Sequence, residues 1–267
     1  MSSQQPPPDA GPAIELEGVV QKFGSDRVLD DVDLAVRAGA ITVLMGPSGA
    51  GKTVTIKHIL GLLKPTKGRV RVEGRDLATL DDEELNRLRR GMGVVLQGTL
   101  PFTCGLFYSL SVFENVAFPL RQRTRLSEEE IQELTLNNLG LVGLRDRAGA
   151  MPKQLSAGMT KRVALARALA LEPRIMIVDD FDSGLDGVRL ALLVELLADA
   201  QRENQSTLLV TTHDMAAARR LADHAAIIHE GRIVAQDAAD AIFESEDPLV
   251  HQLVSGALTG PIELGAR

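Results

Sequence analysis

Apolar segments of two kinds alternate along this chain. Residues 14–36 contain short apolar segments separated by turns, a pattern typical of strands in a small β-sheet. Residues 41–45, 175–178 and 207–210 are continuous runs of apolar and β-branched side chains, which predict buried strands. Because such strands alternate with helical segments, we expect a mostly parallel sheet covered on both faces, and hence an α/β fold.

Capping residues and charge order mark the predicted helices. Ser111 with Glu114, and Ser127 with Glu130, have the spacing of a capping box at a helix N-terminus. Residues 77–90 carry acidic side chains early and arginines late, the order that suits a helix dipole. These signals predict helices between the predicted strands.

Composition narrows the class of protein. The 267 residues are enough for one large domain or two small ones, and a net charge of −7 argues against a nucleic-acid partner. Cys104 is the only cysteine, so an internal disulfide is excluded. Residues 1–12 predict a disordered tail without signal-peptide features. The apolar run at 190–194 ends at Glu195, so we expect a cytoplasmic chain that spans no membrane.

The strongest chemical motif lies at residues 46–53, after one predicted strand and at the start of a predicted helix. It has the phosphate-loop pattern, in which glycines let backbone amides close around phosphates at a helix N-terminus. Lys52 would supply a cation to the phosphates, and the Thr53 hydroxyl would be a magnesium ligand. The predicted nucleotide-binding residues are Gly46, Pro47, Ser48, Gly49, Ala50, Gly51, Lys52, Thr53 and Val54.

Two carboxylates end the predicted strand at 175–178. That position would place Asp179 near the magnesium site of the phosphate loop. Asp180 would then face the γ-phosphate and orient the attacking water. Taken alone, the pair is equally consistent with two turn-forming aspartates at a strand end.

A third motif connects these two to a known family. Residues 155–159 read Leu-Ser-Ala-Gly-Met and precede Thr-Lys-Arg-Val-Ala-Leu-Ala-Arg, which alone indicates a helix start with a serine cap. With the other two motifs, in this order and spacing, the stretch resembles the signature motif of the ATP-binding cassette (ABC) family, over about residues 14–235. The resemblance implies a P-loop NTPase (RecA-like) core with an antiparallel β subdomain and an inserted α-helical subdomain.

The resemblance also implies how the chain is divided. Residues 1–12 would be a tail, and residues 98–165 the helical subdomain with the signature motif. Residues 13–97 and 166–235 would form the nucleotide-binding core with its β subdomain. Residues 236–267 would be a C-terminal extension.

Members of the family pair head to tail as dimers around two ATP molecules with Mg²⁺. Each ATP would lie between the phosphate loop of one copy and the signature motif of the other. Phe23 matches an aromatic residue that stacks on adenine, with a core phenylalanine as the alternative reading. The other implied positions are the trans contacts Ser156, Ala157, Gly158 and Met159, the magnesium ligands Thr53, Gln97 and Asp179, the catalytic residues Asp180, His213 and Gln97, and Asp186 in a loop that senses the other site.

Three site positions depart from the family pattern. Asp180 stands where the family has Glu, and Phe181 follows it where the family has Pro. Asp is one methylene shorter, which withdraws the carboxylate by about 1.5 Å, and a misplacement near 1 Å can cost on the order of a hundredfold in rate. We therefore expect slow hydrolysis unless the backbone compensates. Ala157 replaces a glycine and should be tolerated, because Ser156 and Gly158 remain.

The segment between residues 97 and 115 is about five residues longer than in related sequences, and an insertion of this size costs little free energy. In the family this region receives the coupling helices of the membrane subunit. The apolar side chains in this segment include Phe102, Leu106, Phe107 and Tyr108. They could form a groove for those helices, or they could equally belong to the hydrophobic core.

Three further stretches indicate a subfamily. These are residues 111–121, the signature ending in Met159 with Lys161 and Arg162 after it, and the C-terminal extension at 247–256 and 260–262, which resemble the ATPases of the Mla and Mce lipid-transport systems. That resemblance implies a phospholipid, sterol or related cargo, transmembrane permease subunits, lipid-binding Mce/MlaD-like proteins and a position on the inner face of the cell membrane. Two alternatives remain: the ATPase of a small polar solute importer, such as one for amino acids, and a slow regulatory ATP-binding switch.

Overall fold

The computed structural model describes residues 11–96, 105–182 and 185–262. Predictions for residues 1–10, Gln97, Phe102, Cys104 and the loop at 183–184 fall outside this range. Within it the strands are β1 (Ile14–Phe23), β2 (Asp26–Val36), β3 (Ile41–Met45), β4 (Lys67–Val72), β5 (Arg75–Asp76), β6 (Met92–Val95), β7 (Ile175–Val178), β8 (Thr207–Thr212), β9 (His224–His229) and β10 (Arg232–Ala238). The helices are α1 (Lys52–Ile59), α2 (Asp82–Arg90), α3 (Val112–Arg123), α4 (Glu128–Leu141), α5 (Ala157–Leu169), α6 (Gly187–Asn204), α7 (Met215–Leu221), α8 (Ala239–Phe243) and α9 (Pro248–Ser255).

The larger sheet has six strands in the order β10-β9-β3-β8-β7-β6. All neighbouring pairs from β9 to β6 are parallel, and only β10 pairs antiparallel with β9. The register aligns the ends of the central strands, because Met45 pairs with Thr212 and Val178 pairs with Val210. The carboxyl ends of β3, β7 and β8 therefore meet at one edge of the sheet.

A smaller antiparallel sheet packs beside it, in the order β2-β1-β4-β5. Two apolar cores follow from the alternation of side chains along β3. Val43 and Met45 face a core shared with α3, α5 and α6, whereas Leu44 faces a core shared with α1 and the small sheet. The α/β fold predicted from the sequence, with a P-loop NTPase core and helices on both faces, is confirmed.

Helices α3, α4 and α5 pack against one another in the predicted helical region. The predicted boundary between residues 165 and 166 lies inside α5, which runs on without a break from Ala157 to Leu169. Among the apolar residues left open by the sequence, Leu106 is buried in the core. Phe107 and Tyr108 are exposed. In the described ranges, every helix is too short or too polar to cross a bilayer.

Candidate functional site

The phosphate loop connects β3 to α1, and its backbone requires glycine at two positions. Gly46 has φ 152° and Gly51, which precedes the first residue of α1, has φ 113°. A Cβ at Gly46 would lie 2.1 Å from the carbonyl oxygen of Ile228, and one at Gly51 would lie 2.6 Å from Leu29 Cδ2. The two glycines therefore let the loop pass close to the strands before α1 begins, in backbone conformations that other residues rarely adopt.

Lys52, the first residue of α1, folds back onto this loop. Its Nζ donates to the carbonyl oxygens of Gly46 (2.6 Å) and Pro47 (2.9 Å). Burial lowers the pKa of Lys52, while the neighbouring carboxylates of Asp180 and Asp179 act in the opposite direction. The amine thus lies between the loop and the acidic end of β7.

Asp179 lies between two threonine hydroxyls and is almost fully buried. Thr53 Oγ1 donates to its Oδ2 (3.0 Å), and Thr211 Oγ1 donates to its Oδ1 (2.6 Å). Carboxylate and hydroxyl oxygens are the donors that Mg²⁺ prefers. The pair of Thr53 and Asp179 therefore fits the magnesium site that the sequence predicts, with the third predicted ligand, Gln97, outside the described residues.

Asp180 has a left-handed backbone, with φ 54°. Non-glycine residues rarely adopt this conformation, and aspartate is among those that do so most readily. Its N–H donates to Thr211 Oγ1 (2.8 Å), and the N–H of the next residue, Phe181, donates to the Thr211 carbonyl (3.2 Å). A proline at 181 has no N–H and would lose that bond. Phe181 is also fully buried, so it fills core volume beside the site.

His213 follows β8 and reaches two carboxylates. Its Nδ1 is 3.4 Å from Asp180 Oδ1 and 3.2 Å from Asp182 Oδ2. The Asp182 side chain is only 4% exposed, and its Oδ1 has no hydrogen-bond partner among the described residues. Asp182 was not predicted from the sequence, because a carboxylate two residues past a strand-end pair matches no motif by itself.

These groups converge on one cleft of about 540 Å³. Phe23 is not among the described residues that line it; this side chain is 49% exposed at the tip of the β1–β2 hairpin, where it pairs with Asp26. Val28, which enters the cleft from β2, belongs to no motif in the sequence and was not predicted. The lining residues are Val28, Ser48, Gly49, Gly51, Lys52, Thr53, Val54, Asp179, Asp180 and His213.

The signature residues lie elsewhere on the molecule. Ser156 is exposed and caps α5 by accepting from the N–H of Met159 (3.3 Å). Gly158 is buried, and a Cβ there would lie 2.8 Å from Leu185 Cδ2. Asp186 caps α6, accepting from the N–H of Arg189 (3.0 Å). Among the described lining residues of the cleft none belongs to the signature motif, so one chain does not bring the two motifs together.

Comparison with known proteins covers nearly the whole chain. A family model described as "ABC transporter" matches residues 29–183. The "Probable ribonucleotide transport ATP-binding protein mkl" of Mycobacterium leprae is 38% identical over 252 residues, which is 94% of this chain and 71% of that protein. The "Intermembrane phospholipid transport system ATP-binding protein MlaF" of Haemophilus influenzae is 36% identical over 249 residues, or 93% of this chain and 92% of that protein.

The fold has a close counterpart among solved structures. The ATP-binding cassette MJ0796, in a dimeric post-hydrolysis state bound to ADP and Pi, superposes with a TM-score of 0.77 and 32% sequence identity. The match covers 85% of this chain and 98% of that one. The family match includes the phosphate loop, the carboxylates after β7 and the start of α5. On this evidence, the chain belongs to the ABC transporter family, as an ATP-binding subunit that hydrolyses ATP.

Proposed function

We propose that ATP binds in the cleft and is hydrolysed with Asp180 as the group that orients and polarises water. The observation that carries the proposal is the convergence of the phosphate loop, two carboxylates and a histidine on one cleft. His213 would hydrogen-bond the γ-phosphate. Thr53 and Asp179, with Gln97, would hold Mg²⁺, which neutralises phosphate charge when bound.

The site is completed by a second copy of the chain. Ser156 and Asp186 stand at helix N-termini, where backbone amides and a helix dipole favour an anion. Ser156 is exposed and is not among the described residues that line its own cleft, so it is free to meet the phosphates held by a partner. Exposed Phe23 is likewise available to stack on adenine. Closure of the pair on ATP, and its reopening after hydrolysis, would drive attached permease subunits.

An exposed aromatic cluster supports docking to a membrane subunit. The rings of Phe107 and Phe118 are 5.0 Å apart, and both are at least 40% exposed. Tyr108 beside them is 47% exposed. Exposed aromatic side chains in one place are typical of an interaction surface. We place the coupling helices of the permease here, with the chain on the inner face of the cell membrane.

Lipid is the proposed cargo, carried between membranes with Mce/MlaD-like lipid-binding partners. Support comes from the relative whose name specifies intermembrane phospholipid transport, which matches 93% of this chain. The relative named for ribonucleotide transport favours a second candidate, the ATPase of an importer of small polar solutes. Purifying the chain with its permease and identifying the bound molecules by mass spectrometry separates them. Co-purifying phospholipid or sterol supports the lipid assignment. Amino acids, or ribonucleotides other than the ATP and ADP of the cleft, co-purifying without lipid contradict it.

ATPase kinetics test the catalytic assignment. Asp180→Asn should lower turnover about a hundredfold while preserving ATP affinity, because it removes only the base. Asp180→Glu should raise turnover, because the short Asp180 side chain is expected to limit the rate.

ATP binding tests the phosphate loop. Lys52→Ala should abolish ATP binding, and Lys64→Ala, at an exposed lysine outside the cleft, is the matched control. Retained binding in Lys52→Ala, or wild-type turnover in Asp180→Asn, contradicts the assignment. Absence of turnover in the permease complex would favour the regulatory switch.

A further inference from the structure

Lys161 makes contacts that neither the family motifs nor the proposed mechanism uses. It lies on the second turn of α5 and is only 7% exposed. Its Nζ donates to the carbonyl oxygens of Asp180 (2.7 Å) and Phe181 (3.2 Å). A buried ammonium is costly unless oxygen acceptors replace its water. Lys161 therefore binds the backbone of the loop that carries the Asp180 carboxylate.

This loop is held from two sides. Thr211 on β8 accepts the N–H groups of Asp180 and Phe181, through its hydroxyl and its carbonyl oxygen. Lys161 on α5 binds the carbonyl oxygens of the same two residues. A left-handed backbone at a non-glycine residue is uncommon and is retained where the surroundings support it. The four contacts together impose it at Asp180.

We propose that Lys161 is a positioning residue that connects the signature helix to the catalytic carboxylate of its own subunit. The inference rests on the proposed role of Asp180. Ser156 and Lys161 are separated by about 7.5 Å along α5, at 1.5 Å per residue. One helix thus carries both the residue that would face the partner's nucleotide and the residue that holds Asp180. A shift of α5 at one site would displace the carboxylate at the other.

Steady-state ATPase kinetics of the full chain test this link. Lys161→Met keeps the side-chain length and removes the donors, so kcat should fall about ten- to a hundredfold. KM for ATP should stay within about twofold, since the lost contact acts on the chemical step. Lys161→Gln retains donor hydrogens and should recover part of kcat. Lys64→Met, at an exposed lysine, is the matched control and should keep wild-type values.

A second pair of variants shows whether Lys161 acts through Asp180. Asp180→Asn should lower single-turnover hydrolysis, and adding Lys161→Met should lower it no further. Wild-type kcat in Lys161→Met overturns the inference and leaves the role of Asp180 intact, as does an additive loss in the double variant. Wild-type kcat in Asp180→Asn overturns the role of Asp180 and this inference with it. If thermal denaturation shows that Lys161→Met is not folded, Lys161→Gln takes its place in the same comparison.

Discussion

At the scale of single residues, Asp182 lies where it can orient His213. Its Oδ2 is 3.2 Å from His213 Nδ1, with Asp180 Oδ1 at 3.4 Å from the same nitrogen, an arrangement that favours a hydrogen on Nδ1 and leaves Nε2 to face a ligand. The imidazole is 55% exposed, whereas the carboxylate is buried, so the fixed partner is the aspartate. The motif that contains Asp180 and the motif that contains His213 are thereby joined by a residue that belongs to neither.

We expect Asp182→Asn to lower kcat by about tenfold with unchanged ATP affinity, the size typical of losing a carboxylate that orients a histidine. The measurement is steady-state ATPase activity beside nucleotide titration. Asp199→Asn, at an exposed aspartate of α6, is the matched control. A wild-type kcat in Asp182→Asn would show that His213 needs no help from this carboxylate.

A second histidine links stability to pH. His58 on α1 is buried; its Nδ1–H donates to the Leu63 carbonyl (3.0 Å), and its Nε2 has no partner among the described residues. Burial lowers the pKa of His58 from its ordinary 6.5. Below pH 6.5 the unfolded chain therefore binds more protons than the folded chain, and this residue makes the free energy of unfolding fall as pH falls.

Urea denaturation between about pH 7.5 and 5.5 measures that dependence. His58→Gln should flatten the decline, since the titrating group is gone, even where the variant is less stable at neutral pH. His251→Gln removes an exposed histidine and should leave the decline unchanged. Equal slopes in wild type and His58→Gln would assign the pH dependence to other groups.

At the scale of elements, two capping boxes predicted from identical spacing fold differently. At α4 both halves form: the Glu130 N–H donates to Ser127 Oγ (3.3 Å), and the Ser127 N–H donates to Glu130 Oε2 (2.7 Å). At α3 the Ser111 cap forms, but the Glu114 carboxylate binds Arg121 instead. Arg121 also binds Glu128 of α4, so a contact between helices competes with the local motif.

The α4 capping box predicts unequal effects of two neighbouring glutamates. Glu129 and Glu130 are both exposed in the first turn of α4 and interact alike with the helix dipole. Only Glu130 returns to the cap, so Glu130→Ala should lower the free energy of unfolding by about 0.5–1 kcal/mol more than Glu129→Ala. Equal losses in denaturant titrations of the two variants would mean that the cap contributes nothing measurable.

Contiguous patterns in the sequence predicted the central strands and the start of α1 well. The strands at 41–45 and 175–178 appear with the predicted bounds, and β8 extends two residues beyond the prediction, to Thr212. The predicted helix start at Lys52 is likewise confirmed. These elements could be predicted from the sequence because apolar periodicity and capping are local properties of the chain.

At the scale of the whole molecule, the contacts that the sheet order creates could not be predicted from the sequence. Because β8 lies between β3 and β7, Thr211 reaches the Asp179 carboxylate and the Asp180 N–H that follow β7. Packing of α5 brings Lys161 to the same loop. The phosphate loop and Asp179 were predictable because each motif is contiguous. Val28 in the cleft, Thr211 beside Asp179 and Lys161 at the Asp180 loop come from distant parts of the chain.

The central claim is that ATP joins two copies through the phosphate loop of one and the signature of the other. Light scattering on Asp180→Asn, which should bind ATP without hydrolysing it, tests this claim most directly. With ATP and Mg²⁺ we expect the mass to double. Adding Ser156→Arg should keep the protein monomeric, while adding Glu129→Arg, on exposed α4, should not. A monomeric mass for Asp180→Asn with ATP bound, or full dimerisation of the Ser156→Arg variant, would contradict the account.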